Sequence, residues 1–119
     1  MAEFNISFGG QDVEAKVTDQ EFWNQLKEIL PLETEYSVWG EEVYFEVPLD
    51  LNPEGLTTDL DACDIAYWPQ GNCICIFHGP TPMSTDEKPV PASPVKVFAK
   101  LVGGAFVFRD NNPGKLVFG

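Results

Sequence analysis

The hydrophobic positions of this chain recur mostly with a period of two. Phe4, Ile6 and Phe8 alternate with polar Asn5 and Ser7, Gly9-Gly10 turns the chain, and Val13, Ala15 and Val17 alternate again. Residues 3–17 therefore read as a β-hairpin with one buried face. The period then changes. Thr18 followed by Glu21 forms a capping box, and Phe22, Leu26, Ile29 and Leu30 share one helical face until Pro31 closes it, which predicts a helix over 18–30. Beyond it, 35–39 and 42–47 read as two strands, or one broken at Gly40. Short apolar strands follow at 65–68 and 73–77, joined by Pro69-Gln-Gly-Asn72, and another at 95–102. Gly103-Gly104 breaks the pattern, and strands at 105–108 and 116–118 flank the turn 110–114. Pro48–Asp64 reads as a long acidic loop, and the five prolines within 79–94 forbid regular structure and predict an ordered surface loop. Eight or so short strands at regular spacing argue for a mainly β barrel or sandwich, one domain spanning 1–119.

Charge narrows the function classes. Nineteen Asp and Glu face seven Lys and Arg, a formal net charge of −12, and residues 1–64 hold 16 of those acids and only two lysines. Such a field repels phosphate backbones, so no nucleic-acid partner is expected. A hydrophobic fraction of 44% with nine Phe, three Trp and three Tyr argues for a packed core. No apolar run approaches the ~18 residues of a membrane span, and MAEFNISFGG has neither a basic n-region nor an apolar h-region. The expectation is a soluble cytoplasmic protein with no membrane partner. Three cysteines do not describe a disulfide framework.

Several residues could carry chemistry. Cys73-x-Cys75, His78 and the distant Cys63 suggest a zinc set or a Cys–His nucleophile. On a strand, however, 73 and 75 share a face with Phe77 while His78 points away. Small core residues are the simpler reading of the cysteines, and a solvated or capping residue that of His78; no metal or cofactor is expected. Glu41-Glu42 follow Trp39-Gly40, and adjacent strand residues point to opposite faces, so at most one can enter a pocket. A buried carboxyl there could accept hydrogen bonds from a ligand or hold a proton, its pKa raised by burial; the alternative is a rim carboxylate that caps backbone N–H groups. Tyr67-Trp68-Pro69-Gln70 and Met83 supply the aromatic and soft apolar surface from which pockets are built. The acidic half, through Asp59, Asp61 and Asp64, could face a basic protein partner, although acidic surfaces commonly only solvate.

Four separated stretches resemble one small prokaryotic family: Trp39-Gly-Glu-Glu-Val-Tyr-Phe45, Tyr67-Trp68-Pro69 ahead of Gly71, Phe77-x-Gly79-x-Thr81-Pro82-Met83-Ser84, and Pro91-Ala92-Ser93-Pro94-Val95. This is the cyclophilin-like family, whose biochemical function is not established. The resemblance covers 35–102 and the hairpin and helix before them, while the closing AFVFRDNNPGKLVFG departs from a longer helical ending. It implies a closed eight-stranded cyclophilin-like β-barrel with one or two short helices. Weaker similarity reaches the cyclophilins proper, which are peptidyl-prolyl isomerases, over Cys73–Lys100, anchored by Gly79-x-Thr81 and Val97-Phe98-Ala99-Lys100. Those enzymes use an arginine, a glutamine and a set of aromatics. Aligned on Gly40, the arginine position holds Tyr36 and the glutamine position Tyr44. The pocket phenylalanine falls near Cys75, the tryptophan near Met83 and the histidine near Val95. The only arginine, Arg109, lies far along the chain.

That departure has a size. X–Pro rotation faces a barrier of ~18–20 kcal/mol, and one preorganised donor typically contributes ~3–4 kcal/mol in other enzymes. Loss of the arginine then removes a factor of several hundred. The resulting expectation is a barrel that binds a small ligand or peptide in a groove of Trp39, Glu41, Tyr44, Trp68, Phe77 and Met83, without efficient isomerase activity. A weak isomerase and an acidic-faced interaction module are the alternatives.

Overall fold

The first two alternating segments pair as an antiparallel hairpin, β1 (Glu3–Phe8) and β2 (Gln11–Val17), in the register Phe4↔Ala15 and Ile6↔Val13. That register puts Phe4, Ile6, Val13, Ala15 and Val17 on one face, and all five are buried. A computed structural model describes residues 3–8, 11–86, 88–102 and 115–119. The expected turns at Gly9-Gly10, Gly103-Gly104 and 110–114, the strand at 105–108 and Arg109 lie outside the described residues.

The helix starts one residue later than its capping box predicts. Thr18 and Asp19 both donate their N–H to Phe98 O, at 2.8 and 3.2 Å, so Thr18 is still tied to the sheet. Asp19, in extended conformation, is the cap instead: its carboxylate accepts from Phe22 N at 3.0 Å and opens α1 (Gln20–Leu26). The Lys96 ammonium, 2.7 Å away, holds the Asp19 carboxyl below its ordinary pKa, helped by the Phe22 N–H. A 3₁₀ turn over Lys27–Ile29 ends the helical segment. Phe22, Trp23 and Leu26 are buried in the barrel's interior cluster, with Trp23 stacked on Phe4 at 4.5 Å and Phe22 against Phe98 at 5.0 Å.

The remaining strands are β3 (Leu32–Glu35), β4 (Ser37–Trp39), β5 (Glu42–Glu46), β6 (Asp64–Trp68), β7 (Cys73–Phe77), β8 (Lys96–Leu101) and β9 (Lys115–Phe118). They form one antiparallel sheet in the order β3-β9-β1-β2-β8-β6-β7-β5-β4. Among the described residues there are nine strands where eight are expected of the barrel, and 32–39 divides at buried Tyr36. Its first half pairs with β9 and its second with β5, so one short segment carries both ends of the sheet and brings them together. The result is a nearly closed barrel.

An eight-stranded ring leaves an interior just wide enough for side chains to fill. Ile6, Val43, Phe45, Ile65, Tyr67, Ile74, Ile76, Phe98 and Phe118 fill it here. Strand β7 is nevertheless buried on both faces. Ile74 and Ile76 point inward, while Cys73, Cys75 and Phe77 belong to a second cluster with Leu60, Ala66 and Val95 on the outer face. The loops 47–63 and 78–95 roof that outer layer, stitched by reciprocal backbone bonds between Thr57 and Val95 at 2.8 and 3.0 Å. One pocket lies in this outer layer.

Candidate functional site

Between the outer face of β4–β5–β7–β6 and the proline-rich loop lies a pocket of about 190 Å³. Strand pairing supplies its floor. Trp39↔Glu42↔Phe77 form one cross-strand row, and Tyr44↔Cys75 form the next. Trp68 at the end of β6 makes one wall, and Pro91, Ala92 and Val95 of the loop make the other. The lining is mostly apolar, with Glu42 as its one Asp, Glu, Lys, Arg or His among the described residues.

Backbone devices hold the walls. Gly40, at φ +61°, turns β4 into β5, and a Cβ there would come within 2.7 Å of Pro82 Cδ. Gly71 lies flat against the Trp68 ring, where any side chain would collide. The Trp68 indole N–H donates to Ser93 Oγ, which anchors the ring to the loop. Within the loop, Thr81 Oγ1 donates to Val90 O at 2.6 Å, and Ser84 Oγ accepts from Thr81 N at 2.9 Å and donates to Lys88 O at 2.7 Å. Thr81 and Ser84 of the Thr-Pro-Met-Ser stretch are therefore loop braces.

Glu42 is the chemical centre. It is only 5% exposed, and burial raises its pKa from the ordinary 4.5 to about 7, partly offset by a hydrogen bond from the Cys75 thiol. Cys75 responds in kind. Burial first, then the charge and hydrogen bond of Glu42, push its pKa well above the usual thiol value. Cys73 is pushed up to about 11 by burial, then by Glu46 and Glu42. Near neutral pH, Glu42 can thus serve as a protonated donor or as a carboxylate.

Of the residues named from the sequence, Trp39, Tyr44, Trp68 and Phe77 line this pocket, whereas Glu41 and Met83 do not. Glu41 lies on the turn with its carboxylate over Gly79; its N–H donates to Pro80 O at 2.9 Å and its carbonyl accepts from His78 N at 3.0 Å. Met83 is 52% exposed on the loop. The parity of the strand contained the signal for Glu42: residues 42 and 44 share a face, so the acid beside Tyr44 is Glu42. Cys75 follows from the same rule applied to Phe77. Pro91, Ala92 and Val95 carry no such signal, because a loop has no period.

The other candidates are dispersed. Cys63 packs against the interior cluster, whereas Cys73 and Cys75 belong to the outer one. His78 is half-buried, and burial lowers its pKa against the opposing pull of Glu41. Among the described residues no three of His, Cys, Asp or Glu are grouped to hold a metal ion. Asp64 is buried, accepts from Asp61 N at 2.9 Å and pairs with Lys100 at 3.6 Å, while exposed Asp59 and Asp61 stand beside Lys88 at 3.4 and 3.6 Å. A wider cleft of about 420 Å³ beside the helix start is polar, and its one lysine, Lys96, is spent on Asp19. No described helix is long and apolar enough to cross a membrane.

The Cyclophilin-like family model matches residues 2–118, including the C-terminal stretch whose sequence reads as a departure. That stretch supplies β9, which joins β1 to β3 in the ring. The chain is also similar to the solution structure of a hypothetical protein from Archaeoglobus fulgidus. The TM-score is 0.79 at 27% identity, over 98% of this chain and 92% of that one. No curated protein matches. By a match that runs nearly end to end, over the barrel as well as the motifs around the pocket, this chain belongs to the Cyclophilin-like family.

Proposed function

We propose that this protein binds a small ligand, or the side chain of a short peptide, in the outer pocket, and that it does not isomerise prolyl bonds efficiently. One observation carries the reading: an aromatic pocket with braced walls encloses a single buried carboxyl group, Glu42. Ligand sites are typically apolar concavities with a few convergent polar groups. A stiff proline-rich rim lowers the ordering cost of binding. The described lining supplies no guanidinium or ammonium to a twisting amide, which supports binding over turnover.

The test is exchange spectroscopy on a short Ala-Pro peptide with catalytic amounts of protein. Unaccelerated exchange between the cis and trans signals, with peptide-induced shifts confined to pocket amides, is the expected result. Accelerated exchange that is lost in Tyr44→Ala or Trp68→Ala overturns the binding-only reading in favour of a weak isomerase.

A further inference from the structure

The charges around this pocket say more about its occupant than its shape does. Trp39 and Phe77 stand directly across from Glu42 on the two flanking strands, Tyr44 projects from the same face two residues along, and Trp68 closes the side. Direct cross-strand partners are ~4.5–5.5 Å apart and same-face neighbours on one strand ~7 Å apart. The rings and the carboxyl thus line the same pocket. The titratable groups around Glu42 are neutral or acidic: the Cys73 and Cys75 thiols on β7, the Tyr44 phenol and Glu46 on β5, and Asp64 on β6, which already pairs with Lys100. Among the described residues no ion pair reaches Glu42.

A buried carboxylate without a counter-ion is costly. The faces of aromatic rings are electron-rich and attract cations. The net charge of −12 adds a long-range pull of the same sign. An anion would meet repulsion from both, and a neutral ligand would leave Glu42 to keep its proton rather than use its charge. A cation satisfies the rings and the acid together. We propose that the pocket takes a compact organic cation, an alkylated ammonium group, seated among Trp39, Tyr44, Trp68 and Phe77 with the Glu42 carboxylate as its counter-ion. The inference rests on this pocket being the ligand site and names the ligand's class. The volume of about 190 Å³, at ~30 Å³ per water, has room for about six waters, the scale of such a head group with a short tail.

The test is an amide NMR titration with choline chloride and, separately, with its uncharged carbon isostere dimethylbutanol. Choline should shift the amides of β4, β5 and β7 and the Trp39 and Trp68 indole signals, and bind ~10-fold or more tightly than the isostere. Choline carries no titrating proton, so its affinity should rise with pH as Glu42 ionises, around about 7. Glu42→Gln should narrow choline's advantage over the isostere to the part the rings supply and remove the pH dependence. The pH series on the unaltered protein gives a second readout that does not depend on the variant. Equal affinity for choline and isostere, or choline affinity that ignores both pH and Glu42→Gln, overturns the cation. Pocket shifts with the isostere alone overturn the cation but leave the pocket as the ligand site. Silence of the pocket amides toward both probes overturns the two readings together.

Discussion

Glu42 and Cys75 are diagonal neighbours on adjacent strands of one sheet face, and the thiol donates its hydrogen bond to the carboxylate. Two acids thus share a desolvated site: the thiol's hydrogen bond favours the Glu42 carboxylate, and that bond together with the Glu42 charge disfavours the Cys75 thiolate. Strand register alone creates this pair, since Glu42 stands opposite Phe77 and Tyr44 opposite Cys75.

The first consequence is a stability that falls as pH rises. In the folded chain Glu42 keeps its proton up to about 7, while in the unfolded chain it releases it near 4.5. Between those values the folded state binds more protons than the unfolded, so Glu42 costs stability progressively through that window and by a constant amount above it. Glu42→Gln removes the titration. Relative to the unaltered protein, the variant should gain ~3 kcal/mol between about pH 4 and about pH 8 in urea denaturation, from ~1.4 kcal/mol per pKa unit. A difference that stays flat with pH would mean that Glu42 ionises as it does in water.

Thiol chemistry reports the same burial. Cys73 and Cys75 are buried with raised pKa values, whereas Cys63 is half-buried. Thiolate, not thiol, attacks alkylating reagents. Native-state alkylation followed by mass spectrometry should modify Cys63 first, and Cys75 only as fast as the protein unfolds. Early labelling of Cys75 would contradict the burial of its thiol in the pocket floor.

One hydroxyl adds a side-chain tie to the backbone bonds that hold the 47–63 loop. Tyr67 Oη accepts from Leu51 N at 3.1 Å and donates to Asn72 Oδ1 at 2.7 Å, tying the 47–63 loop to the β6–β7 turn. Tyr67→Phe keeps the ring in the core but strands both partners, a loss of ~1–3 kcal/mol. Hydrogen exchange at Leu51 should accelerate more than exchange in the β1–β2 hairpin. Uniform acceleration would place the effect in global stability instead.

Gly40 sets the pocket's rim. With φ at +61° and Pro82 within 2.7 Å of any Cβ, Gly40→Ala must strain the turn and displace the loop. A loss of at least ~1 kcal/mol is expected, together with weaker binding in the pocket. A stable variant with an unperturbed Trp68 indole signal would show that the loop does not depend on this turn.

Much of this fold is written in period-two alternation, which is local and survives in any barrel. The hairpin follows directly from it, whereas β6 and β7, buried on both faces, are read from their short apolar runs. The helix cap does not: Thr18 and Asp19 are equally good caps locally, and the partners that meet them, Phe98 O on both N–H groups and Lys96 on the Asp19 carboxylate, come from β8, far along the chain. The split at Tyr36 is equally non-local, since it depends on β9 and β5 drawing the same segment in two directions. At the pocket, parity makes the floor readable, down to the choice of Glu42 over Glu41. The loop wall is not readable, because which proline meets Trp68 depends on how residues 78–95 fold back.

The central claim is that the pocket around Glu42 is where this protein meets its ligand, and an amide NMR screen with a small fragment set tests it most directly. The account predicts shifts clustered at residues 39–44, 66–68 and 75–77 and at the indole signals of Trp39 and Trp68, with that of core-packed Trp23 unmoved. Shifts confined to the cleft beside the helix start or to the acidic loop, with the pocket silent, would contradict it.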